Sequence, residues 1–264
     1  MKTNGPLALI FHTVFVIFIL APLAIVCVVA FTDKGYLSLP TDGASLRWFR
    51  AILENPDFID SFWISLYLAL GAATIALAIA IPASLAVVRY RFPGREGLTA
   101  FFLSPLMIPH VVLGVAFLRF FTEIGLTGTM LGLTFTHVII VMPYALRLVL
   151  AAASGLDRDA ERAAQSLGAS AFTVFRRITL PLILPGVAGG WVLAFITSFD
   201  EVTMTVFVAS PSTTTLPVRM YHHIAQTIDP LLASISTVLI VITVILMVVL
   251  DRIYGLDKIL IGKG

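Results

Sequence analysis

Six apolar runs, each about twenty residues or longer, dominate this chain and set the terms for its fold. They cover Leu7 to Phe31, Phe62 to Val88, Leu98 to Phe121, Thr129 to Leu150, Leu180 to Ser198, and Leu231 to Leu250. At 1.5 Å per residue, roughly 20 apolar residues cross the ~30 Å hydrocarbon layer of a bilayer. Lipid offers backbone amides no partner, and the runs lack the alternation of barrel strands, so each is expected to be a helix. Composition agrees. The chain is 59% hydrophobic and 12% charged, whereas soluble domains hold about 45–50% and about 25%. A soluble enzyme, a free nucleic-acid-binding domain and a secreted disulfide scaffold are excluded. The expected fold class is an all-α polytopic membrane protein, one domain over residues 1–264. Its first run is about 25 residues long and lacks a small-x-small cleavage site, which marks a retained helix rather than a signal peptide. Cys27 is the single cysteine, so no intrachain disulfide and no cysteine metal site can form.

Basic residues orient the spans. Lys2, Arg89, Arg91, Arg95, Arg147, Arg158, Arg162, Arg176, Arg177, Arg252, Lys258 and Lys263 fall on the side of both termini. Lys34, Arg47, Arg50, Arg119 and Arg219 fall on the other. Twelve against five assigns both termini to the cytoplasm by the positive-inside rule. Outside, Leu46 to Leu53 reads as a short interfacial helix with Trp48 and Phe49 at headgroup level. Residues 210–217 read as an irregular loop.

The cytoplasmic segment 151–179 is far longer than a connector needs and reads as helix, turn, helix. Asp157 to Leu167 is a good helix former with acidic residues in its first turn, Gly168 supplies a break, and Ala171 to Thr179 resumes as a basic helix. Leu180-Pro181 is then expected to turn the chain back into the membrane. Two short helices on that face would form a rigid surface suited to a cytoplasmic partner.

These residues resemble a known pattern. Ala163-Ala164, three residues, Gly168, nine residues, then Ile178-Thr-Leu180-Pro181 matches without a gap the EAA loop of membrane permeases from ATP-binding-cassette (ABC) importers. Arg162 stands where the family usually has glutamate, and Glu161 lies one place earlier, a helical step of about 100° away. Six spans with this loop between the fourth and fifth resemble the type I importer permease (MetI-like) fold, N-in and C-in. Ser198-Phe-Asp-Glu-Val202, continued through Pro211 to Leu216-Pro217, is similar to the C-type subunit of spermidine/putrescine permeases.

The resemblance implies a transport subunit of the bacterial inner membrane that is not itself an enzyme. Its implied partners are a second, non-identical permease subunit, two cytoplasmic ATPases that hold ATP and Mg, and an extracytoplasmic binding protein that delivers a small-molecule substrate. Membrane lipid surrounds it, and no nucleic acid is involved. Glu161, Arg162, Ala163, Ala164, Gly168, Ile178, Leu180 and Pro181 would couple it to the ATPases. Polyamines or related small amines lead as cargo; opines, amino-acid-like solutes and phosphonates stay open. No cofactor is expected on this chain, since Gly262-Lys263 lacks the spacing and the Ser/Thr of a P-loop. A self-contained ion-coupled carrier is the alternative from another class. It should show ionisable residues deep in several spans and an internal repeat, and neither is evident.

For the substrate path, Asp200 and Glu201 at the outer end of the fifth span are either carboxylates at the water interface or a pair lining the mouth and favouring a cation, with Asp200 the leading residue. Tyr67, Trp191 and Phe199 offer aromatic faces to a cation. His110 follows Pro105 and Pro109 with no acid in its own run, so packing or backbone bonding is expected of it and of His137. No metal site is expected at His222-His223, because adjacent helical side chains diverge by about 100°. Gly186-Val-Ala-Gly-Gly190 is a small-residue patch for close helix approach.

Overall fold

The computed structural model describes residues 5–41 and 43–254; Lys2, Lys258, Lys263 and the Gly262-Lys263 pair lie outside them. All described elements are helical. In order they are α1 (Pro6–Val29), α2 (Arg47–Leu53), α3 (Pro56–Arg89), α4 (Arg95–Leu103), α5 (His110–Ile124), α6 (Met130–Ser154), α7 (Asp159–Ser166), α8 (Ala171–Val174), α9 (Leu180–Phe199), α10 (Thr205–Val208), α11 (Leu216–Gln226) and α12 (Leu231–Tyr254). Among the described residues, five stretches are each long and apolar enough to cross a membrane: α1, α3, α6, the helical run Ala171–Phe199, and Leu231–Val248 within α12.

The third apolar run departs from expectation. Instead of one straight span over Leu98 to Phe121, Arg95–Leu106 and His110–Ile124 meet at 100°. Proline explains the break: it lacks an N–H and pushes its predecessor out of helical conformation. Pro109 itself takes φ −56°, ψ 132° immediately before α5. The loop 151–179 differs as well. Its second helix does not end before the membrane but runs from α8 through one π turn, Phe175–Thr179, straight into α9. Pro181 sits in the first turn of α9, where its missing N–H costs little. Residues 210–217 are more regular than expected, with a capped 3₁₀ turn at Pro211–Thr213 and the start of α11 at Leu216.

Two compact units divide the described residues, one holding residues 61–219 with the end of α12 and the other residues 5–60 with 220–249. In the first, α6 is the centre, burying Leu133, His137, Ile140, Val141, Leu146 and Val149. Helix α3 presents an alanine stripe, Ala69, Ala72, Ala73, Ala76 and Ala80, each fully buried. Small residues let helices approach closely where lipid supplies no hydrophobic drive between them. Helix α9 does the same against α6 with its glycines. A Cβ on Gly186 would collide with Ala152 and come within 2.7 Å of the Leu148 carbonyl oxygen. In the second unit α2 forms as expected; Trp48 Nε1 donates to the Lys34 carbonyl at 3.1 Å and Phe49 packs on Phe31. There Ser234 of α12 donates to the Ala30 carbonyl at 3.2 Å.

Candidate functional site

The α7–α8 hairpin is built from local chemistry. Asp159 and Glu161 occupy the first turn of α7, where carboxylates complement the helix dipole. Gly168 ends the helix at φ +84°, a left-handed conformation that L side chains resist. Its N–H bonds to the Gln165 carbonyl, and that of Ala169 to Ala164. Ser170 caps α8 through Thr173 N. The tip exposes Leu167 at 90% and Phe172 at 70%. Of the residues expected to couple, Arg162, Ala163, Gly168 and Pro181 are exposed, and Ala164, Ile178 and Leu180 are half-buried.

Glu161 points the other way. Its carboxylate is buried and accepts hydrogen bonds from Arg89 Nη2, at the end of α3, and from the Thr179 hydroxyl in the π turn. Thr179 Oγ1 in turn accepts from Arg89 Nη2 at 3.0 Å. Arg158 Nη2 adds a bond to the Val88 carbonyl at 2.8 Å. Arg162, one helical step on, pairs with exposed Asp159. Sequence reasoning missed Arg89, Thr179 and Arg158 as partners. The available signal was Arg89 itself, the first charge after a long uncharged run. Arg89 also lines a cavity with Ala78, Pro82, Ala86, Tyr90 and Phe175.

At the opposite end of α9, the two adjacent carboxylates separate. Asp200 is exposed at the C-cap, whereas Glu201 is buried. Glu201 accepts from Met204 N at 2.7 Å and lies 3.0 Å from His110 Nδ1. His110 therefore has an acidic partner from outside its own run, which differs from the packing role expected of it. The acid arrives by tertiary folding, so no spacing along the run encodes it. His137, fully buried in α6, bridges Ser198 Oγ at 2.8 Å and Thr205 Oγ1 at 3.0 Å, linking α9 and α10. Gly114 completes the docking of α10 on α5, since a Cβ there would lie 2.7 Å from the Phe207 ring.

Aromatic rings connect α9 with α3. Trp191, Phe195 and Phe199 recur every four residues; Trp191 stacks on Phe195 at 5.5 Å, and Phe195 meets Phe199 tilted at 6.0 Å between centroids. Phe199 meets Phe62 edge-on at 6.2 Å, and Trp63 stacks on Tyr67 at 5.8 Å. Trp191 Nε1 donates to Thr74 Oγ1 at 3.1 Å. Tyr67 and Trp63 are exposed. Phe62, Trp63 and Phe195 extend the expected trio; the four-residue spacing of 191, 195 and 199 was the signal for the last. On α11, His222 is exposed while His223 pairs with Asp229 and meets Phe58 edge-on.

Comparison with known proteins matches this architecture. Residues 76–256 match the family described as binding-protein-dependent transport system inner membrane component. The chain is 30% identical over 248 residues to the spermidine/putrescine transport system permease protein PotC of Escherichia coli (strain K12), covering 94% of this chain and 93% of that protein. It is 30% identical over 230 residues to the putrescine transport system permease protein PotI of the same strain, covering 84% and 82%. Its fold is similar to a solved bacterial ABC transporter involved in import of the acidic polysaccharide alginate, with a TM-score of 0.73, 13% identity, and coverage of 96% of this chain and 100% of that one. The chain belongs to the family of binding-protein-dependent transport system inner membrane components, as a multi-pass permease subunit of an ABC importer and not an enzyme.

Proposed function

We propose that this permease subunit imports a polyamine or a related small amine, with both termini in the cytoplasm. The observation that carries the coupling half of this reading is the α7–Gly168–α8 hairpin, whose tip exposes Leu167 and Phe172. Two apolar side chains on a short capped hairpin suit a groove on a cytoplasmic ATPase. Two such ATPases, holding ATP and Mg, dock on this subunit and on a second permease. ATP binding favours one of two membrane conformations only through differential contact, and the hairpin supplies that contact. Closure of the ATPases opens the pathway outward to a loaded binding protein, and hydrolysis resets it.

The cargo half rests on the likeness to PotC and PotI and on the aromatic series of α9 and α3. A cation over an aromatic face gains about 0.5–2 kcal/mol, and exposed Asp200 follows Phe199 directly. Together they suit a flexible polycation better than an anion. The test is reconstitution in lipid with the co-encoded permease, ATPase and binding protein. ATP hydrolysis stimulated by binding protein loaded with putrescine or spermidine is the expected result. Stimulation by a different solute keeps the importer and replaces the cargo; absence of any ATPase from the assembly overturns the reading.

A further inference from the structure

We infer that Arg89, Glu161 and Thr179 form a strut that carries ATPase motion from the α7 hairpin into α3, with Arg89 as a positioning residue for coupling. The inference deepens the proposed function and rests on its ATPase-docking reading.

Helix α7 has two faces with different chemistry. Arg162, Ala163 and Leu167 are exposed, while Glu161 is buried against its own chain. Glu161 is thus committed inward and is not available to a partner protein. The hairpin has three routes to the spans. Two are covalent, back into α6 through residues 155–158 and onward through the π turn into α9. The third reaches α3 through side chains alone: Glu161 to Arg89, and Arg158 to the Val88 carbonyl.

The third route is stiff for a physical reason. Separating a buried carboxylate from its guanidinium leaves charge uncompensated in a low dielectric, so removing one partner of such a pair is strongly destabilising. Thr179 closes the triangle by bonding both, which ties the π turn to the same point. A displacement of α7 therefore moves α3 and the start of α9 together instead of sliding past them. Helix α3 is 34 residues long and carries Trp63 and Tyr67 near its far end, so motion applied at Arg89 reaches the aromatic face. Without the strut, α6 and α9 would still be driven through the chain, but α3 would keep only the single Arg158–Val88 bond.

The test uses the whole importer in lipid, with transported cargo counted per ATP hydrolysed. In Arg89→Gln, ATPase retention and basal hydrolysis are expected to match the unaltered complex, while cargo per ATP falls at least about fivefold, the lower bound of a typical coupling. Thr179→Val removes one hydroxyl at nearly constant volume and should lower the same ratio by less, which serves where Arg89→Gln fails to accumulate. The reciprocal pair Arg89→Glu with Glu161→Arg should recover most of the ratio lost in Arg89→Glu alone. Undiminished cargo per ATP in Arg89→Gln or in Thr179→Val, or no recovery in the exchanged pair, overturns the strut. Loss of the ATPase from the complex formed by the unaltered chain overturns the docking reading instead, and the strut with it.

Discussion

The Glu201 carboxylate stands 3.0 Å from His110 Nδ1, joining residues 91 positions apart. The same carboxylate accepts from Met204 N, so it closes the turn that leads from α9 into α10. Asp200, its neighbour in sequence, is exposed. Two adjacent acids thus have different surroundings and different expected consequences when removed.

Glu201→Ala should lower the thermal unfolding midpoint of the detergent-solubilised protein clearly. Leaving a buried donor unpaired costs about 1–3 kcal/mol, and Met204 N would be left so. Asp200→Ala should shift stability by no more than about 0.5 kcal/mol, as exposed substitutions do. Equal shifts in the two variants would contradict the burial difference.

Transport should reverse that order of interest. Asp200→Asn is expected to weaken uptake of a dication more than uptake of a neutral solute in reconstituted vesicles, because only the former gains from a negative charge at the mouth. Equal losses for both solutes would remove Asp200 from cation selection.

Gly186 and Gly189 differ by less than one helical turn yet should respond differently to alanine. At Gly186 the added carbon meets Ala152 and the Leu148 backbone, and overpacking of this kind costs about 1–3 kcal/mol. At Gly189 its nearest neighbour is Leu148 Cδ1 at 3.6 Å, an ordinary contact. Thermal melts should show a destabilised Gly186→Ala and an unimpaired Gly189→Ala.

Gly168→Pro should abolish ATPase co-purification while the protein still inserts in the membrane. Proline cannot take φ +84° and lacks the N–H that bonds Gln165. Gly168→Ala should fold with a milder penalty of about 1–2 kcal/mol for the left-handed conformation, since open space surrounds that position. Normal ATPase retention by Gly168→Pro would show that the hairpin turn is dispensable.

Whatever depended on local pattern was legible in the sequence. Apolar length located the spans, Gly186 to Gly190 marked the close approach to α6, and the spacing from Ala163 to Pro181 marked the hairpin. The bend at Met107 to Pro109 was not legible, because the residues around it are as apolar as the helices it separates and proline is tolerated in straight spans. The ion pairs were hidden for a different reason. Arg89 and Glu161 are 72 positions apart, and nothing in either neighbourhood names the other. Glu161 was visible as a misplaced acid, but its inward direction depends on the phase of α7, which neighbouring elements set.

That phase depends in turn on the π turn at Phe175–Thr179. A π turn closes i to i+5, one residue wider than an α turn. Deleting one residue there would leave a regular helix and turn α8 by about 100° relative to α9, pulling α7 and its Glu161 away from Arg89 while altering neither side chain. The segment's length is thus a constraint independent of its composition: a single-residue deletion breaks the pairing even where every side chain that makes it is kept.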